Sequence, residues 1–321
     1  PLPAVTGRVC PHFCEGRCNR GEFDLPINIH GLERIIGDYG LNMPIRKSTD
    51  QIKGRVAVVG SGPAGLSAAY FLAIKGVNVT IFDRFSKPGG MLRYGIPEFR
   101  LPRWVLDKEI QNIMDLGIMF EGESEISCND VERMAKEYDF VFFAPGLWGK
   151  SIPSEWGYEG SRIVDGLTVL QNINSGQNPE LGETVLVVGG GNTALDVTRV
   201  LMRTGKKVTI LYRRTLKEAP AFEEEIVEGL EENILVKEQT VITSIRESSN
   251  NSLDVETREA VKRGGKIVAE GKSEYIKADS VIAAIGQIPA FKVDNNKRVI
   301  TGGDYASGEG TVAQAIVSGK R

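Results

Sequence analysis

Apolar residues along this chain gather in short continuous runs, and two of those runs introduce the same phrase. Arg55-Val-Ala-Val-Val59 is apolar at four successive positions, the pattern of a strand buried on both faces of a parallel sheet. It leads into Gly60-Ser-Gly62-Pro-Ala-Gly65; residues 66–75 then read as a helix stopped by Gly76, and residues 77–82 as a second strand. The whole is a βαβ unit of about thirty residues.

The unit is written twice. Val185-Leu-Val-Val188 runs into Gly189-Gly-Gly191-Asn-Thr-Ala194, a predicted helix over 195–203 and a strand over 208–211. Gly60 and Gly189 stand 129 residues apart, as do Val79-Thr-Ile-Phe-Asp-Arg84 and Val208-Thr-Ile-Leu-Tyr-Arg213. So long a period marks a duplicated supersecondary unit and not a solenoid. Two further apolar strands, Phe140-Val-Phe-Phe-Ala-Pro-Gly146 and Ser280-Val-Ile-Ala-Ala-Ile-Gly286, each end in glycine. They predict that Gly146 in one unit, and Ala284, Ile285 and Gly286 in the other, lay backbone beside whatever the glycine loops hold.

The segment Gly302-Gly-Asp-Tyr-Ala-Ser-Gly308 belongs to neither copy. The expected fold class is therefore α/β, with two Rossmann-like dinucleotide-binding domains, one inserted in the other. An N-terminal segment over 1–50 precedes them, rich in Gly, Pro and Cys, with one short helix at 29–39. The outer domain is expected over 51–150 and 279–321, and the inserted one over 151–278. Linkers are expected near 148–160 and 274–279. Residues 242–277 alternate apolar and polar, with Asn250-Asn251 and Gly264-Gly265 as hairpin turns.

Composition narrows the partners. A net charge of −3 over 321 residues lacks the basic footprint of a nucleic-acid binder. No apolar run approaches the roughly 20 residues that span a bilayer, and no signal peptide opens the sequence. Four cysteines are too few for a disulfide scaffold. The expected location is cytoplasmic.

A glycine fingerprint gains meaning from a buried strand before it, a helix after it and an acid about 20 residues on. Gly60, Gly62 and Gly65 have all three, with Asp83 as the acid. After Pro63, which has no N–H of its own, the helix N-terminus at Ala64 to Leu66 offers free N–H groups to a pyrophosphate, and Asp83 offers a carboxylate to a ribose diol. A purely structural glycine turn is the competing reading. In the second copy the third glycine is Ala194, and Asp83 is replaced by Tyr212, followed by Arg213 and Arg214. A carboxylate there would repel a 2′-phosphate, whereas guanidinium groups bind one bidentately. Gly189, Gly191, Asn192, Thr193, Arg213 and Arg214 are thus candidates for NADPH, with NADH as the variant if the arginines only decorate a strand end.

Two dinucleotide sites imply electron transfer between cofactors, a flavin in one and a nicotinamide in the other. Only His12 and His30 occur, so a Ser-His-Asp hydrolase is hard to build. Gly303 and Asp304, followed by Gly310, Thr311 and Val312, read as a turn feeding a helix. Its free N–H groups favour the negative charge of a reduced flavin. Asp304 is a candidate for the ribityl chain. Cys10, Cys14 and Cys18 match neither zinc-ribbon nor bacterial ferredoxin spacing. Three thiols so close suggest a soft metal centre, with three free thiols as the alternative. Cys128 reads as an ordinary thiol. The runs Glu223-Glu-Glu225 and Glu231-Glu232 read as the solvated face of a helix.

Several strings now occur together in one order: Gly7-Arg-Val-Cys-Pro-His-Phe-Cys-Glu-Gly-Arg-Cys18, Pro26-Ile-Asn-Ile29, Gly60-Ser-Gly-Pro-Ala-Gly65, Gly90-Met-Leu-Arg-Tyr-Gly-Ile-Pro-Glu-Phe-Arg-Leu-Pro102, Tyr212-Arg-Arg214 and Ala284-Ile-Gly-Gln287. Together they resemble the small (beta) subunit family of NADPH-dependent glutamate synthase. Its relatives include the large subunit of the ferredoxin:NADP transhydrogenase and the N-terminal half of dihydropyrimidine dehydrogenase. The resemblance covers nearly the whole chain and implies FAD on the first unit, NADPH on the inserted one and two [4Fe-4S] clusters in the N-terminal segment. It implies electron flow from NADPH through flavin and clusters to a larger redox subunit or fused domain.

By position, the resemblance assigns Cys10, Cys14 and Cys18 to one cluster, Glu33 to the other as its non-cysteine ligand, and Val9, Gly90, Leu92 and Arg100 to FAD. The family's upstream cysteine motif is absent ahead of Pro1. The stretch between Ile300 and Thr301 is shorter than in the family, and the last helix stops at Arg321. A piece of a longer polypeptide is therefore expected. Two other functions remain beside this one: a nucleotide-binding regulatory or scaffold subunit, and a thioredoxin-reductase-like disulfide reductase, which the absence of C-x-x-C disfavours.

Overall fold

The computed structural model describes residues 1–46, 52–248 and 252–321; Asn250, Asn251 and the boundary expected after residue 50 lie outside them. The N-terminal segment holds more helix than its pattern predicts. Helix α1 (Pro3–Val9) carries only a proline in its first turn as a local signal. Its support comes from distant residues. The Glu109 carboxylate accepts the Ala4 N–H at 2.6 Å. Arg8 forks onto Asp38 at 2.6 and 3.0 Å. Asp38 lies on the expected helix, α2 (Ile29–Gly40), which is N-capped by Asn28. The two helices cross closely because a Cβ at Gly37 would stand 2.5 Å from the Ala4 nitrogen, and one at Gly7 2.5 Å from the Arg34 Cα.

The first nucleotide unit follows as β1 (Arg55–Val59), α3 (Pro63–Ile74), β2 (Asn78–Phe82), α4 (Met91–Tyr94), α5 (Arg103–Met114), β3 (Met119–Glu121), α6 (Cys128–Glu137) and β4 (Phe140–Phe143). The continuous apolar run of β1 has the expected cause. Val56 and Val58 join a core with Leu66, Leu106 and Ile110 on one side, which also takes in Val5 and Val9 of α1. Ala57 and Val59 join Val131, Met134 and Phe143 on the other. Both faces are covered, so no polar position is tolerated.

The second unit comprises β5 (Ile163–Asp165), α7 (Gly166–Asn174), β6 (Thr184–Val188), α8 (Asn192–Arg203), β7 (Lys207–Leu211), α9 (Glu223–Glu231), β8 (Leu235–Lys237), β9 (Thr240–Glu247), β10 (Leu253–Arg263), β11 (Lys266–Ala278) and β12 (Ser280–Ala283). The chain then returns to the first unit with β13 (Val299–Thr301), α10 (Asp304–Ser307) and α11 (Val312–Lys320). Two compact units result, Pro1–Trp148 with Pro289–Arg321, and Gly149–Ile288. The return falls after residue 288, ten residues later than the expected 279, because β12 pairs in parallel with β5 and β6 of the second sheet. Residues 274–278, expected to be linker, belong to β11.

Both sheets are parallel and share one plan. The first has the order β3-β2-β1-β4-β13 and the second β8-β7-β6-β12-β5. In each, the strand before the glycine loop is central and the order reverses beside it, the switch point where open α/β sheets bind ligands. An antiparallel sheet, β9-β10-β11, completes the second unit. Its β10–β11 hairpin turns at Gly264 and Gly265, whose φ of +54° and +82° suit a type I′ turn.

The acids of α9 are more than a solvated face. The buried guanidinium of Arg199 on α8 meets Glu225 at 2.9 Å, Glu228 at 2.8 Å and Glu232 at 2.6 Å. Hydrogen bonding from Arg199 pulls the Glu232 carboxyl down to about 2.

Candidate dinucleotide sites and the cysteine segment

In the first unit the three fingerprint glycines do different work. Gly60 adopts φ +98°, and a Cβ there would lie 2.3 Å from the Ala144 carbonyl oxygen. A Cβ at Gly65 would lie 1.8 Å from the Gly60 oxygen. Gly62 has an ordinary φ of −71° and nothing within 4 Å of where a Cβ would stand. Two glycines therefore let backbones touch, and the middle one keeps space open at the N-terminus of α3, where N–H groups point outward.

The surroundings gather at that space. Gly90, at φ +50°, brings its backbone against Gly62, its would-be Cβ 2.7 Å from the Gly62 Cα. Gly303, at φ +63°, lies against the Ala64 methyl, and its N–H donates to the Ser318 hydroxyl at 2.8 Å. Helix α11 is pressed onto the first turn of α3, where a Cβ at Gly319 would stand 2.1 Å from the Ala64 oxygen. Gly146 follows β4 at φ +77°. Thr311 closes a capping box with Gln314, accepting its N–H at 3.2 Å. Gly310 precedes it. Burial pushes Asp304 up to about 6, with Glu309 adding to the effect and the Gly310 N–H opposing it.

Asp83 is more engaged than a ribose acceptor need be. One oxygen, Oδ2, accepts from the Ser61 N–H at 2.7 Å and the Ser61 hydroxyl at 2.6 Å; Oδ1 accepts from Phe85 N–H at 2.9 Å. The Ser61 carbonyl and hydroxyl in turn receive the Gly89 N–H at 3.1 and 3.2 Å. The pair braces the Gly89-Gly90 turn over the open loop. Sequence reasoning missed Ser61, although its place inside the fingerprint was a signal. Two arginines hold the rest of this segment: Arg93 donates to the Pro88 carbonyl and pairs with Asp107, and Arg103 donates to the Leu92 and Ile96 carbonyls at 3.0 and 2.8 Å. The side chains of Leu92 and Val9 point into the core, so only their backbones are available for contact. Arg100 is half-buried on the same segment.

The second loop repeats the plan with other partners. A Cβ at Gly189, φ +148°, would meet the Ala284 oxygen at 2.1 Å, and the Ala194 methyl takes the third glycine's place. Gly191 is the open position, its nearest neighbour Pro220 Cγ at 4.0 Å. Gly190 lies under the Tyr212 ring, with Cε2 2.4 Å from its would-be Cβ. The Asn192 side chain accepts the Phe222 N–H at 2.9 Å, and Gln287 reaches Thr193 at 3.5 Å. Arg213 and Arg214 are exposed directly after Tyr212, and Ile285 and Gly286 continue from β12 beside Gly189.

The cysteines lie on separate turns after α1. Cys10 is half-buried and its thiol is raised by burial, with the His12 N–H opposing and Glu33 and Cys14 adding to the rise. Backbone N–H groups of Ile27, Arg20 and Gly21 bring Cys18 down, and Cys14 is exposed. Glu33 accepts the Thr6 hydroxyl at 2.6 Å and lies 3.6 Å from the Nε2 of His12, which is buried and stacked on His30 at 3.8 Å. Among the described residues no three such side chains converge on a single ion. A cubane cluster asks for something else, one thiolate per iron, and N–H groups directed at the sulfurs suit it. Cys10, Cys14 and Cys18 thus supply the right kind of donor for such a cluster, but three thiolates are one short of the four it asks for. Around it Phe13, Phe23, Leu25, Ile35, Ile36 and Tyr39 are all more than half exposed.

Two duplicated dinucleotide units joined to a thiolate-rich segment define a multi-cofactor oxidoreductase. The chain belongs to the pyridine nucleotide-disulphide oxidoreductase family, whose profile matches residues 54–303, and residues 1–45 match dihydropyrimidine dehydrogenase domain II, 4Fe-4S cluster. Their cofactors are FAD, a nicotinamide dinucleotide and a 4Fe-4S cluster. It is 37% identical over 319 residues to the NADPH-Fe(3+) oxidoreductase subunit beta of Geobacter sulfurreducens, covering 92% of this chain and 47% of that one. It is 33% identical over 348 residues to the NAD-dependent dihydropyrimidine dehydrogenase subunit PreT of Escherichia coli, covering 99% and 80%. The chain spans about half the length of the first of these relatives. Its fold is also that of Mycobacterium tuberculosis FprA in complex with NADPH, with a TM-score of 0.69 at 16% identity, over 84% of this chain and 83% of that one. No helix among the described residues is long and apolar enough to cross a membrane.

Proposed function

We propose that this chain is the pyridine-nucleotide-oxidising part of a larger redox assembly. The second unit takes NADPH, the first holds FAD, and the cysteine segment passes electrons to a partner subunit or domain. The observation that carries this reading is the duplicated loop with unlike surroundings, Ser61 and Asp83 in one copy, Gly190, Tyr212 and two exposed arginines in the other. Flavin supplies the exchange between a two-electron donor and one-electron acceptors. This chain's residues bind and orient. The open backbone at Gly62 and Gly191 receives pyrophosphates, and the arginines receive a 2′-phosphate.

Cys10, Cys14 and Cys18, with Glu33 beside Cys10, supply cluster ligands on this reading. An exposed apolar surface around an electron exit is what a partner covers, and cysteines that form no disulfide suit a reducing compartment, the cytoplasm. The names of the relatives include both NADPH and NAD, so the acceptor and donor are chosen by experiment. Anaerobic reduction with NADPH and then NADH, followed by frozen-solution EPR, tests the proposal. A reduced-cluster signal supports it, and a protein that binds NADPH yet yields neither reduced flavin nor that signal is a nucleotide sensor instead.

A further inference from the structure

The duplication aligns Ser61 with Gly190 and Asp83 with Tyr212, each pair 129 residues from its counterpart. In the first unit that pair is a serine hydrogen-bonded to a carboxylate; in the second it is an aromatic ring packed where a glycine has no Cβ, its Cε2 2.4 Å from where that atom would stand. We infer that Tyr212 is a positioning residue that sets the second site's selectivity for a 2′-phosphate, by holding the turn that carries the cations. The inference rests on the reading of that site as one for NADPH.

Tyr212 is buried, and its hydroxyl donates to the Glu218 carbonyl at 3.1 Å. That bond ties β7 to the far end of the 213–218 turn. Within the turn Thr215 and Glu218 close a capping box, the Glu218 carboxylate accepting the Thr215 N–H at 3.3 Å and its hydroxyl at 3.0 Å. Those bonds favour the ionised Glu218 carboxylate and direct it into the capping box. Past the turn, Ala221 N–H donates to the Gly190 carbonyl at 3.2 Å, and Phe222 N–H to the Asn192 side chain. On the other side Gln239 N–H donates to the Arg214 carbonyl at 3.1 Å. Arg213, Arg214 and Lys217 thus ride on a turn fixed at both ends, with their side chains exposed. A preorganised cationic turn loses less freedom on binding an anion.

The test uses Tyr212→Phe, which keeps the ring on Gly190 and removes only the hydroxyl. Dissociation constants for 2′,5′-ADP and 5′-AMP are measured on the holoprotein, independently of turnover. The wild type should bind 2′,5′-ADP more tightly than 5′-AMP. The variant should lose about five- to tenfold for 2′,5′-ADP, the loss expected of one hydrogen bond, with 5′-AMP unchanged. The KM ratio of NADPH to NADH should rise alongside. Equal losses for both nucleotides, or no loss for either, would overturn the role of Tyr212 while leaving the NADPH reading intact. A wild type that does not distinguish the two nucleotides would overturn both.

Discussion

Ser61 gives both its hydroxyl and its backbone N–H to one oxygen of Asp83, at 2.6 and 2.7 Å, and receives the Gly89 N–H in return. The first glycine loop and the Gly89-Gly90 turn are thereby one hydrogen-bonded object built from three separate stretches of chain. Ser61→Ala removes the hydroxyl and leaves the backbone bond. The expected outcome is a folded protein whose FAD dissociation constant rises about tenfold, read by flavin release in a dilution series. An unchanged constant would show that the brace does not reach the flavin.

Gly62 and Gly65 are separated by a sharper experiment. Gly65→Ala drives a methyl to 1.8 Å from the Gly60 oxygen, so the protein should be insoluble or destabilised by about 3 kcal/mol or more. Gly62→Ala meets nothing within 4 Å at an ordinary φ, so with flavin removed from both proteins its unfolding temperature should match the wild type, while it no longer takes up FAD. Gly191→Ala should repeat the Gly62 result for NADPH. Retained flavin in Gly62→Ala contradicts the assignment of that space.

Arg199 is buried among three carboxylates. Arg199→Ala should cost the second unit about 3 kcal/mol, because it removes a buried guanidinium that meets three carboxylates. Glu228→Gln, at a half-exposed partner, should cost less than about 1 kcal/mol. Glu232 titrates near 2 in the fold, well under its usual range. Its contribution is present above the usual carboxylate pKa and fades as pH falls toward 2. Denaturant unfolding at pH 7 and pH 3 should show that loss in the wild type and a smaller one in Arg199→Ala.

Asp304 has the opposite sign. Its folded pKa is raised to about 6, so the folded state holds the proton more tightly and stability falls as pH rises from the usual carboxylate range through 6. Asp304→Asn should melt higher than the wild type at pH 8, by about 2 °C given the residue's partial exposure. The difference should vanish near pH 4. A constant difference across that range would assign the effect to something other than ionisation.

The parts of the fold legible in sequence were those written locally. The run Arg55–Val59 is apolar throughout because its two faces meet different helices, and the pattern says so directly. Helix α1 was invisible because Glu109 and Asp38, which hold it, are remote in sequence. The return at residue 288 was missed because pairing of Ser280–Ala283 with one sheet or the other is a matter of register partners, and both sheets accept such a strand. At the sites, the glycines were readable and their division of labour was not. Which glycine keeps space open depends on what faces its missing Cβ. Tyr212 was legible only as the replacement for Asp83, and Ser61 only as a position inside the fingerprint; what each does depends on a contact made when the sheet is assembled.

The central claim is that electrons enter from a pyridine nucleotide at the second unit and reach a flavin on the first. It is tested most directly by anaerobic addition of NADPH to the flavin-loaded full chain while the flavin absorbance is followed. Rapid bleaching by NADPH, faster than by NADH at equal concentration and slowed by Arg213→Asp, is the predicted result. A flavin band that neither nucleotide bleaches would contradict the account.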